Sequence, residues 1–154
     1  MISAKQSHTP VVVRRRLKAP PSVVYRVWTD AKYASRWSWG ADYTTVGVTI
    51  DCRVGGLWRQ QIRHNGSGEV WSFEGQFREV VPNVKLVHTF HWRSDAGKDD
   101  GVSLVRIEFV AHGEETEVVI THTELAAAHR KGTTAGWEDV LRMVEQCVAQ
   151  VGSE

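Results

Sequence analysis

The segment VGGLWRQQIRHNGSGEVWSFEGQFREVVPNVKLVHTFHW (residues 54–92) decides the fold. It divides into apolar and aromatic runs cut by glycines and one proline, and within each run a large ring returns at nearly every alternate position. Successive side chains of a β-strand point to opposite faces. Trp58 and Ile62, then Trp71, Phe73 and Phe77, then Leu86, Phe90 and Trp92 therefore share one face of one sheet. Arg59 and Arg63 fall on the opposite face and meet solvent. The inner face is richer in rings than a plain core requires, and no compact catalytic cluster accompanies it, which suggests a container for an apolar or aromatic small molecule.

Outward from this segment, Val11 to Leu17 reads as a first strand. Pro20-Pro21-Ser22 opens a short helix with Val24, Val27 and Trp28 at helical spacing, and a second short helix runs from about Ala31 to Trp37. Further strands cover Tyr43 to Asp51, Gly56 to His64, Val70 to Val81, Lys85 to Arg93, Val102 to Ala111 and Thr116 to Thr123. Asn65-Gly66-Ser67-Gly68, Pro82-Asn83 and His112-Gly113-Glu114-Glu115 are hairpin-like joints, which makes neighbouring strands antiparallel. Ser94 to Gly101 reads as a longer acidic loop. A final helix, about Thr134 to Val151, aligns Trp137, Val140, Leu141, Val144, Val148 and Val151 on one stripe that must pack on the sheet, against Val118, Ile120 and the strand-face rings. The class is α+β with an antiparallel sheet.

The chain has 154 residues and a formal charge of +1, with acidic and basic residues interspersed. One domain fits that length, and no electrostatic footprint for nucleic acid or an anionic membrane appears. Cys52 and Cys147 fit no metal or redox spacing and read as reduced, buried thiols. The polar stretch Met1 to Thr9 lacks the apolar core of a signal peptide, and nowhere do about 18 apolar residues run together, so the expected location is cytoplasmic with no membrane span.

Val54-Gly55-Gly56-Leu57-Trp58, the run from Phe77 through Pro82 into Leu86-Val87-His88-Thr89-Phe90, the strand Val118 to His122 with Thr123, and Gly136-Trp137 together resemble the SRPBCC superfamily. More narrowly, they are similar to the heat-shock-protein-90 ATPase activator homologue-like family within the START-like, or Bet v-like, fold. Ala19-Pro20-Pro21, Val24 to Asp30 and Arg36-Trp37 match that family's opening, so the resemblance spans about Val12 to Val148. It implies a helix-grip: a curved antiparallel sheet of six to seven strands wrapped on the long C-terminal helix, two short helices after the first strand, and an internal cavity. A single START-like domain over residues 10–151, with a flexible N-terminal tail over residues 1–9, follows. Ser38-Trp39-Gly40, Glu124 and Gln60 depart from the family's pattern and bear on the pocket's shape.

A mostly apolar pocket needs few polar groups to orient its ligand. Gln60 shares parity with Trp58 and Ile62, His88 with Leu86 and Phe90, and His122 with Val118 and Ile120. Each is either a ligand contact or a core polar group satisfied by its neighbours. The expected ligand-binding set is Trp58, Gln60, Ile62, Trp71, Phe73, Phe77, His88, Phe90, His122, Trp137 and Leu141, with no metal and no cofactor. His88 and His91 face opposite sides of a strand, and neither a HExxH motif, a nucleophile elbow nor a phosphate loop occurs. The leading expectation is binding of a small hydrophobic molecule, lipid-like or polyketide-like, by a carrier, sensor or sequestration protein. Two alternatives remain: a chaperone-associated stress-response interaction domain, with a chaperone contact or homodimer as partner, and a cyclase or lyase using His88, His122 or Glu79 as acid or base.

Overall fold

The computed structural model describes residues 9–151. The expected tail falls outside them except for Thr9, whose carbonyl, like that of Pro10, accepts a hydrogen bond of 3.2 Å from the Arg130 guanidinium. The chain runs β1 (Val11–Leu17), α1 (Pro21–Thr29), α2 (Ala31–Ala34), β2 (Tyr43–Ile50), β3 (Leu57–His64), β4 (Val70–Val81), β5 (Lys85–Ser94), β6 (Asp99–His112), β7 (Glu115–Thr123), a single 3₁₀ turn (Ala127–His129) and α3 (Arg130–Val151). This is the α+β helix-grip expected from the sequence. All seven strands form one antiparallel sheet in the order β1-β7-β6-β5-β4-β3-β2, curled into a half-barrel around α3.

Alternation sets the two faces. In β3, Trp58, Gln60 and Ile62 are buried while Leu57, Arg59 and Arg63 are exposed. In β5, Leu86, His88 and Phe90 are buried, and in β6 so are Ser103, Val105, Ile107 and Phe109. A bulge between Phe77 and Glu79 interrupts the pairing of β4 with β5, giving the strand the extra twist that a curled sheet requires.

Pro21 sits in the first turn of α1, where its missing N–H costs nothing, and Asp30 caps α2 by accepting from the Lys32 N–H at 3.0 Å. The stripe of α3 buries Trp137, Val140, Leu141, Val144, Cys147 and Val148. Its backbone runs nearest β1, and α1 packs on α3 and β6. No helix among the described residues is long and apolar enough to cross a membrane.

Three boundaries and one burial differ from expectation. The second helix stops at Ala34 rather than Trp37, because the Trp37 indole turns back to donate to the Val27 carbonyl at 3.1 Å. The acidic loop shrinks to residues 95–98, since Asp99 pairs with Arg93 and extends β6 through polar residues that do not look like strand. The last helix begins at Arg130, four residues early, with the Thr134 hydroxyl bonded back to the Arg130 carbonyl at 2.9 Å. Cys52 is half-buried rather than buried, its sulfur 3.5 Å from the Tyr25 hydroxyl.

Leu141 is 1% exposed at the centre of the helix stripe. Leu141→Ala is expected to cost about 2–5 kcal/mol by core truncation, read as a lower urea midpoint at unchanged slope. A loss below 1 kcal/mol would show that α3 is not the element the sheet closes on.

Candidate functional site

A cavity of about 600 Å³ opens at one end of the sheet, between β4, β5, the β5–β6 hairpin and the start of α3. Its floor is aromatic, made of Trp39, Trp71, Phe73, Phe90 and Trp92. Its rim is polar: Lys98, Asp99 and Asp100 from the hairpin face His129, Gly132 and Thr133 from the 3₁₀ turn and first turn of α3. That volume and mixture suit a small-molecule site, for which about 300–1,000 Å³ is usual.

Trp39 divides this cavity from the packed interior. Its ring stacks on Phe73 at 4.4 Å with planes 9° apart, and meets Trp137 at 4.6 Å and Phe90 at 5.9 Å. The helix admits it because residue 136 is glycine: a Cβ there would lie 3.2 Å from two carbons of the indole. The indole N–H donates to Gln60 Oε1 at 3.0 Å, while Gln60 Nε2 donates to the Trp37 carbonyl at 3.4 Å. Both ends of the Gln60 carboxamide are thus occupied in holding the segment between α2 and β2.

His122 plays a comparable part on the other side of Trp137. An indole nitrogen only donates, so the Trp137 N–H, 2.9 Å away, fixes His122 Nδ1 as an acceptor and leaves the ring proton on Nε2. Nε2 lies 2.6 Å from Ser103 Oγ, and the Ser103 hydroxyl in turn donates to the Phe90 carbonyl at 3.3 Å. Burial, with His88 nearby, pushes the His122 pKa down to about 3, and an added proton on Nδ1 would also oppose the Trp137 donor. His88 is lowered to about 4 by burial, partly offset by the bond its Nδ1–H makes to the Thr89 carbonyl at 2.7 Å. Its ring lies between Trp58 and Phe77, over Gly75, where a Cβ would be 1.9 Å from the Thr89 oxygen.

Of the expected ligand-binding residues, the structure brings Trp71, Phe73 and Phe90 to the cavity wall. Trp58, Gln60, Ile62, Phe77, His88, His122 and Trp137 are buried in the packed interior and do not line it, and Leu141 lines instead a smaller cleft beside β1. The rim was missed. Lys98, Asp99, Asp100, His129, Gly132 and Thr133 lie in stretches without apolar alternation; the signal for the hairpin was Gly97 between two alternating runs, a four-residue joint. Within the rim, Asp99 Oδ1 is 2.7 Å from His91 Nε2 and Asp100 Oδ1 is 3.2 Å from His129 Nε2. Burial raises the Asp100 carboxyl, with the neighbouring Asp99 adding to the rise and His129 opposing it.

Two outcomes follow from the buried polar residues. Gln60→Leu strands the Trp39 N–H, so it is expected to lose about 1–3 kcal/mol of stability, measured by chemical denaturation; unchanged stability would release Gln60 from its holding role. His88 and His122 are neutral in the fold and protonate more readily when unfolded, since 6.5 is their ordinary value. Below pH 6.5 the unfolded chain binds more protons, so their contribution is present above that pH and drains away as pH falls toward 4 and 3. A His122→Gln variant is expected to show a shallower fall in stability across that window; an identical slope would contradict the buried neutral ring.

The comparisons agree with this architecture. The model of the "Activator of Hsp90 ATPase homolog 1-like protein" family matches residues 18–149. A Chromobacterium violaceum protein of known structure superposes with a TM-score of 0.78 at 23% identity, over 90% of this chain and 96% of its own. The AHSA1-like protein from Aeromonas hydrophila gives 0.76 at 22% identity, over 95% and 96%. The AHSA1 protein from Silicibacter pomeroyi gives 0.80 at 19% identity, over 92% and 99%. No curated relative matches. At such identities the structural likeness speaks for the fold alone, whereas the family match covers most of the sequence: the chain belongs to the activator of Hsp90 ATPase homolog 1-like family.

Proposed function

We propose that the protein binds a small, flat, apolar or aromatic molecule in the ring-floored cavity, as a cytoplasmic carrier, sensor or sequestration protein built from the single domain 10–151. The observation that carries this reading is the floor itself: five aromatic side chains converge on about 600 Å³ of space bounded by a polar rim. Each Å² of apolar surface that a ligand removes from water there contributes about 25 cal/mol, and flat rings add offset or edge contacts with Trp39, Trp71 and Trp92.

The convex face of the sheet favours this over a chaperone-docking role. It carries ion pairs within and between strands: Arg16 with Glu115 at 2.8 Å, Lys85 with Glu79 at 2.6 Å, Arg106 with Glu108 at 3.5 Å, and Arg93 with Glu74. Charged residues are depleted from the cores of protein interfaces. The cyclase or lyase alternative draws no support from its candidates. His88 and His122 lie outside the cavity lining, as does Glu79, which is paired with Lys85.

Gly132 supplies the test, because it lines the cavity and a Cβ added there meets nothing within 4 Å. Gly132→Phe would place a ring in the ligand's space while improving the helix by up to about 0.5 kcal/mol. In thermal-shift panels of flavonoids, polyketide-like aromatics and lipids, the wild type is expected to be stabilised by flat aromatics. The Gly132→Phe variant is expected to keep its melting temperature and lose that response. Hits confined to lipids, or a response that survives in the variant, would overturn the proposal.

A further inference from the structure

Strand pairing sorts the charges of the β5–β6 hairpin onto two faces. Arg93 stands opposite Asp99 and bonds Glu74 on the outer face of the sheet. Asp99 is engaged on that face as well, its Oδ1 lying 2.7 Å from His91 Nε2 and accepting from the Gly101 N–H at 2.8 Å. One step further along, Ser94 is paired on one side with Trp71, which lines the cavity, and on the other donates its N–H to the Lys98 carbonyl at 2.9 Å. Directly opposed residues share a face, so Lys98 falls on the inner face with Trp71 and belongs to the cavity lining.

Lys98 differs from the other charged groups of the rim. Asp99 is held by His91, and Asp100 Oδ1 lies 3.2 Å from His129 Nε2 on the far side of the mouth. The Lys98 ammonium has neither a hydrogen-bond nor an ion-pair partner among the described residues; Asp100, two residues on, turns to His129 instead. An ammonium carries three donors and no acceptor, so an anion is its natural complement. Below it lies a floor of rings, which takes the flat apolar part of a ligand and leaves the ligand's edge at the rim.

We infer that the cavity takes a flat aromatic molecule with a carboxylate on its edge, the ring lying on the aromatic floor and the anion meeting the Lys98 ammonium. The inference rests on the cavity being the binding site, and gives that site its ligand class: aromatic acids rather than neutral hydrocarbons or aromatic cations. The Asp100 charge faces the same space, so the preference is that of one solvent-touched pair, modest in size and weakened by salt.

Three compounds of one shape carry the three charges: naphthalene-2-carboxylate, naphthalene-2-carboxamide and naphthalene-2-carboxamidine, titrated by calorimetry against the full chain near neutral pH. At low salt the carboxylate is expected to bind about two- to fivefold tighter than the amide, the range of a partly exposed ion pair, and the amidine more weakly than the amide. Raising the salt to about 0.5 M should shrink that margin. Lys98 is exposed, so Lys98→Gln should keep the melting temperature while bringing the carboxylate down to the affinity of the amide, and Lys98→Arg should retain the preference. Gly132→Phe should abolish binding of all three, which locates them in the cavity. An amide bound as tightly as the carboxylate, an amidine bound tightest, or a carboxylate preference that survives in Lys98→Gln would overturn this ligand class while leaving the cavity in place. Binding of none of the three, or binding that Gly132→Phe leaves intact, would instead remove the cavity reading on which it stands.

Discussion

The placement of one ring, Trp39, governs much of what this fold can do. A half-barrel sheet closed by a helix leaves a long interior, and side chains must either fill it or leave space for something else. Here the rings of Trp58, His88, Phe90, His122 and Trp137 fill its middle, and Trp39 is the last layer, stacked on Phe73 and seated against Gly136. Beyond it the packing stops and the cavity begins. Displacing Trp39 would join cavity and core and leave an indole donor and a glutamine acceptor buried without each other, so the boundary is held by polar pairing as well as by shape.

The interior polar groups are best understood through the same need. Trp39 and Trp137 each bring a ring nitrogen into the packed interior, and each such N–H requires an acceptor. Gln60 serves Trp39, and His122 serves Trp137. His122 then passes its own proton requirement to Ser103, and Ser103 to the Phe90 carbonyl, so the chain of bonds ends on backbone. Residues whose types resemble acid–base machinery are, in this arrangement, consumed in structural bonds: His122 to Trp137 and Ser103, and His88 to the Thr89 carbonyl. Their depressed titration is a consequence of burial and not evidence of catalysis.

How much of this was legible in the sequence depends on which elements carry periodicity. Alternating rings from Trp58 to Trp92 located β3, β4 and β5 and their inner face, and the stripe from Trp137 to Val148 located α3, because burial on one face imposes a period that survives in the sequence. Parity also identified Gln60, His88 and His122 as inward-pointing. It could not say whether they would meet a ligand or a tryptophan, since both fates leave the same pattern. The rim carries no pattern at all. Asp99, Asp100, His129 and Gly132 are half-exposed or exposed, so no apolar repeat marks them, and their strand and helix conformations come from tertiary pairing, Arg93 with Asp99 and Arg130 with the carbonyls before β1.

That division has a physical basis that bears on function. The packed interior is constrained by the fold, and its residues are readable because many contacts agree on them. The cavity is where such agreement ends: its floor borrows rings from the core pattern, while its rim is assembled from a hairpin turn and the first turn of a helix, segments free to vary without disturbing the sheet. On the open side of the Trp39 ring, at the His129–Asp100 pair and the open space at Gly132, a side chain can change the shape and polarity of the cavity without touching the packed interior, so a role that depends on the cavity is tuned there and not in the core.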